Sequence, residues 1–243
     1  MKRTITYLMT SLLLAGFAAC KPASEKNAGP TDYIVDQFAD LQILRYDVPG
    51  FNELSLEQKE LIYYLNEAAL QGRDILYDQN YRHNLCIRRT LESVYQYASV
   101  DKNTEDWKQF EIYLKRVWAS NGIHHHYATD KFLPGFSQTF FSDAVSSVTP
   151  DSLPLSEGET VEALIAKLTP ILFDPTIDAK RVNQAADQDL LMTSAANYYQ
   201  GVTQAEAEAF YGAMKNPSDE QPVSYGLNSR LVKENGQLVE QVW

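Results

Sequence analysis

The chain has 243 residues, 44% of them hydrophobic and 12% aromatic, and carries a formal net charge of −11. That length and apolar content suit a protein with a sizeable buried core and exclude wholesale disorder. No block of Lys and Arg exists to recruit nucleic acid or an anionic lipid surface, and two cysteines, Cys20 and Cys86, cannot make a disulfide framework or a cysteine zinc site.

Residues 1–20, MKRTITYLMTSLLLAGFAAC, place Lys2 and Arg3 before an apolar core and end in small residues, the layout of a secretory signal. The close, Phe17-Ala18-Ala19-Cys20, resembles a lipobox. It predicts that Cys20 is lipidated, so that an exported product meets a membrane of the cell envelope through an N-terminal anchor. Residues 21–39 are assigned to a flexible tether, because Lys21–Thr31 is polar, small and interrupted by Pro and Gly. The folded part is then 40–243.

Ser55-Leu56-Glu57-Gln58 is a capping box, followed by Leu61, Tyr64, Leu65, Ala68 and Ala69 at helical spacing, with Gly72 as a stop. A second helix is predicted from about Asn84 to Ala98, with Ile87, Leu91, Val94 and Tyr95 on its stripe. A third runs from a Thr104 cap to Gly122 and buries Phe110, Tyr113, Leu114, Val117 and Trp118. Thr160 opens a fourth, with Val161, Leu164, Ile165, Leu168 and Leu172 inward. Thr203-Gln204-Ala205-Glu206 is a second capping box, and Asn216-Pro217 closes its helix. The tail RLVKENGQLVEQVW holds two β-compatible runs around Asn235-Gly236, a strong hairpin signal. Its last run reaches Trp243 without a polar cap, which reads as a truncation. The fold class is therefore α+β, predominantly helical, ending in a β-hairpin.

Three of the four histidines, His124, His125 and His126, are adjacent. Adjacent side chains diverge, whereas single-segment metal sites use spacings such as i and i+4 that share a face. The cluster is accordingly read as packed or loop histidines, with no metal held by this chain, and His83 as a surface or helix-start residue. Cys86 has Arg88 and Arg89 nearby, which could lower its thiol pKa, although a single cysteine on a helix is more often filler. No G-x-S-x-G elbow, phosphate loop, C-x-x-C or H-E-x-x-H is present, and no catalytic residue is assigned.

The stretches YLKRVWASNGIHHHYATDKFLPGFSQ, LLMTSAANYYQGVTQAEAEAFYGAM and PVSYGLNSRLVKENGQLVEQVW resemble the N-terminal part of bacterial dipeptidyl peptidase III, and the resemblance runs from about Asp40 to the last residue. Within it, Ser120-Asn121-Gly122, Lys131-Phe132-Leu133-Pro134, Tyr199-Gln200-Gly201 and Asn228-Ser229-Arg230-Leu231 look like shared motifs. The resemblance implies a two-lobed zinc exopeptidase that releases dipeptides from the N-termini of short peptides, with this chain in the lower lobe. In that family the zinc ligands lie in H-E-x-x-G-H and a later glutamate, and neither is in this sequence. Asn121, Tyr127 and Asn228 are then the residues that could contact a peptide. Against that role, Asn121 could be a helix C-cap, Tyr127 a core aromatic, Asn228 a turn former and Arg230 an ion-pair residue. Two readings follow: a fragment of a zinc dipeptidyl peptidase supplying part of the peptide cleft, or a non-catalytic, lipid-anchored protein that binds peptides or other partners.

Overall fold

The computed structural model describes residues 33–221, 223–226 and 228–243. The signal segment, the lipidation site at Cys20 and the tether up to residue 32 lie outside the described residues. They divide into a short unit that ends at Asp47 and a larger one from Val48 to Trp243.

In the short unit, β1 (Ile34–Phe38) and β2 (Leu41–Leu44) pair antiparallel through a two-residue loop, with Phe38 opposite Leu41. Strand β1 falls inside the segment assigned to the tether, so regular structure begins five residues before residue 39. Ala39 takes the positive φ of 50° that so tight a turn demands, a cost its β-branched and aromatic flanks offset by pairing.

The larger unit has seven helices among its described residues: α1 (Leu56–Gln71), α2 (Arg73–Asn80), α3 (Asn84–Tyr97), α4 (Glu105–Ser120), α5 (Gln138–Ser146), α6 (Val161–Phe173) and α7 (Gln204–Met214). Helices start where hydroxyl caps predict. Ser55 accepts from Gln58 N–H and Gln58 reciprocates, and Thr203 and Glu206 do the same. Thr104, Ser137 and Thr160 each accept from the third residue of their helices. Gly72 does not stop α1 by a left-handed cap. Its φ of −75° is right-handed, so the chain only kinks there and continues as α2.

The main core lies among α3, α4, α5 and α6, where Leu91, Phe110, Phe141 and Leu164 are all but fully buried. Phe136, in the loop after α4, sits at its centre, edge-on to Tyr113 at 5.7 Å and to Phe173 at 5.7 Å. Tyr95 and Trp118 depart from the stripes assigned to them: they are 42% and 40% exposed, on the shoulders of their helices.

A second, smaller core places α7 on a three-stranded sheet. Strand β3 (Tyr199–Gln200) runs parallel to β4 (Ser229–Glu234), which pairs antiparallel with β5 (Gln237–Val242). Asn235 and Gly236 have φ of 50° and 80°, the two positive values of a type I′ turn, so the Asn-Gly hairpin forms in the expected register. Val202, Ala207 and Leu231 close this core. The architecture is α+β and predominantly helical.

Candidate functional site

The C-terminus of α4 sets the geometry of the site. Asn121 caps the helix in the left-handed conformation, φ 50° and ψ 46°, a role its short amide suits. Its carbonyl accepts from Asn80 Nδ2 at 3.0 Å and from Asn84 Nδ2 at 3.4 Å. Asn84 is fully buried and also donates to Tyr77 O, while its Oδ1 accepts from Ile123 N–H at 3.1 Å. Gly122 must be glycine twice over: its φ is +143°, and a Cβ there would lie 2.0 Å from Asn84 Nδ2. The Ser-Asn-Gly motif is thus held by a buried asparagine from the start of α3.

Asn121 lines a cleft of 740 Å³ between α1, α2, α3 and α4. Its side-chain amide makes no hydrogen bond among the described residues. The cleft floor is a network of charge. Asp74 pairs with Arg88 Nη1 at 2.9 Å and with Arg89 Nη2 at 2.8 Å. Burial opposes ionisation of Asp74, but the hydrogen bonds from Arg89 and Arg88 outweigh it and hold the carboxyl below its usual range. Arg88 stacks on Tyr77 at 4.6 Å and lies 3.4 Å from Glu92, which in turn accepts from the Trp118 indole N–H at 2.9 Å. Leu70 and Arg73 complete the rim.

The histidines share little. His124 is buried, its Nε2–H donates to the Asp178 carbonyl at 2.8 Å, and its Nδ1 has no partner. Burial, reinforced by Lys131 and Arg181, lowers its pKa to about 4. His125 spends its Nδ1 lone pair on Tyr127 N–H at 3.1 Å and Ala128 N–H at 3.0 Å, closing the turn. His126 stacks on His125 and lies 3.4 Å from Ser120 Oγ. His83 is the helix-start residue that the sequence allows, at the N-cap of α3, half-buried with its ring edge-on to Tyr81. Among the described residues, no group of three His, Cys, Asp or Glu side chains is placed to hold a metal ion.

Tyr127 is 84% exposed, so it is not a core aromatic. It borders a second cavity, of 550 Å³, formed with Thr129, Lys180 and Asn183. The long segment between α6 and β3 is tied to that loop: Lys131 N–H donates to Ala179 O, and Arg181 N–H to Thr129 O. Arg181 ties the histidine loop to the end of α2, donating to Asn80 Oδ1 at 3.1 Å and to His126 O at 3.0 Å.

Asn228 lies apart, at the open end of the hairpin, where its carbonyl accepts from Trp243 N–H at 3.1 Å. Arg230 makes no ion pair among the described residues; it bonds Gln241 and lies 5.8 Å from the Trp243 ring. The three sequence-selected residues therefore occupy three places: Asn121 and Tyr127 are linked through Asn80 and Arg181, and Asn228 is not part of either cavity. Sequence reasoning missed Arg73, Arg88, Glu92 and Trp118. Arg88 and Arg89 had been linked to Cys86, yet both turn to Asp74, and burial raises the Cys86 thiol pKa.

No family model matches this chain, and no curated protein matches it at significant similarity.

Proposed function

We propose that this chain is the N-terminal portion of a zinc-dependent dipeptidyl peptidase, contributing part of the lower-lobe wall along which a short peptide lies. The observation that supports this reading is how the stretches carrying the resemblance meet. Tyr199-Gln200 pairs with Leu231-Val232, and the Ser120-Asn121-Gly122 turn leads into the strand-like contact of His124 with Lys131. Stretches matched separately along the sequence thus form joined elements, and one of them ends in the free Asn121 amide at the cleft.

The role of such a wall is orientation. A half-buried amide can donate to and accept from an extended peptide backbone at once, and holding the peptide in register is what a non-reacting lobe contributes to rate. The metal and the general base belong to sequence outside this chain, so none of these side chains is assigned a chemical step. The same reading carries export and a lipid anchor at Cys20.

The test is the coding sequence beyond the Trp243 codon. An open frame that reaches H-E-x-x-G-H and a later glutamate is the expected result. A stop codon directly after Trp243 would overturn the peptidase reading in favour of a tethered binding protein.

A further inference from the structure

We propose that the cleft at the end of α4 is a subsite for the C-terminal residue of a peptide, with Arg73 taking the carboxylate, the Asn121 amide the last peptide group, and Trp118 with Leu70 the apolar side chain. The proposal rests on the peptide-handling reading above and names a ligand chemistry that the reading leaves open.

Charge decides the anion. Around the floor, Arg88 and Arg89 are engaged with Asp74, and Arg88 leans on Glu92. Arg73 is exposed on the rim and makes no ion pair or hydrogen bond among the described residues. The lining itself sets Arg73 and Arg88 against Asp74 and Glu92, and Arg89 adds a further positive charge on Asp74 from outside it. A cationic ligand would compete with arginines already seated on both acids. A carboxylate meets in Arg73 a guanidinium that carries no ion pair among the described residues, and the planar fork suits it.

The neutral groups narrow the ligand further. Trp118 lines the cleft, is 40% exposed, and has its indole N–H fixed to Glu92. Leu70 is 41% exposed beside it. An aromatic body next to a donor–acceptor amide and a free guanidinium matches a terminal residue with an apolar side chain, its amide N–H and its carboxylate.

The test is calorimetric titration of the full chain with N-acetyl-Ala-Phe, with the same peptide as its C-terminal amide, and with 3-phenylpropionate. The free acid should bind at least about tenfold more tightly than the amide, since a charge-assisted pair is lost. Arg73→Gln should weaken the free acid by about tenfold and leave the amide unchanged. Asn121→Gly keeps the left-handed cap while removing the amide, and should weaken both peptides. Equal affinity for acid and amide, no effect of Arg73→Gln, or no binding of either peptide would overturn the proposal. Phenylpropionate binding as tightly as the peptide acid would also overturn it, by showing a bare carboxylate site. A stop codon after Trp243 would remove the peptidase reading and leave these outcomes as they stand, so the two failures are separable.

Discussion

At the scale of single residues, the histidine loop is held by spent lone pairs and buried rings, and His124 carries a pH signature. Its folded-state pKa is pushed down to about 4 because burial disfavours the imidazolium, with Lys131 and Arg181 adding repulsion. The unfolded chain binds that proton near the ordinary value of 6.5. The stabilisation is therefore fully present above that value and is lost as pH falls towards 4, amounting to about 3 kcal/mol by linkage. His83, also depressed by burial, contributes with the same sign. Most carboxylates keep their charge through this window, so a fall in the urea midpoint between pH 7.5 and pH 5 reports the histidines. The slope should flatten in His124→Gln; an unchanged slope would mean that His124 is not buried as described.

At the scale of elements, Lys131 locks the end of α6. Its ammonium donates to Ile171 O at 3.0 Å in the last turn, to Asp174 O at 2.5 Å at the C-cap, and to Ile177 O at 2.5 Å in the segment that follows. Lys131→Met should cost about 2 kcal/mol in urea denaturation. Lys180→Met breaks only an exposed pair with Asp130, and should cost under about 0.5 kcal/mol. Equal losses would contradict the assigned role of Lys131. Elements of this kind were unevenly legible in the sequence. The hydroxyl caps and the Asn-Gly turn act within a few residues, so Ser55, Thr104, Thr160, Thr203 and Asn235-Gly236 could be placed from local pattern alone. Helix α5 and the β1–β2 hairpin carry weaker local signals and were missed. Asn121 was legible as a cap, because an asparagine before glycine at a helix end suits the left-handed conformation that it adopts. Arg73, Arg88 and Glu92 were not legible, because their meeting depends on how α2 and α3 fold back on one another.

At the scale of the whole molecule, α1 stands out. It is 16 residues long and none of them is buried, although Leu61, Ile62, Tyr63, Tyr64 and Leu65 run consecutively around it. A run of five apolar residues in the middle of a helix belongs in a packed environment, and here the described residues leave it open. Leu61→Glu with Leu65→Glu should thus shift the thermal midpoint by no more than about 2 °C and reduce light scattering in solution. A large drop in the midpoint would show that this face is packed within the chain.

Dipeptide release by the natural gene product tests the central claim most directly. A synthetic tetrapeptide with a free N-terminus should be cut into dipeptides, with activity lost to a chelator and restored by zinc. Release of single amino acids, or no release from a product that extends past Trp243, would contradict the account.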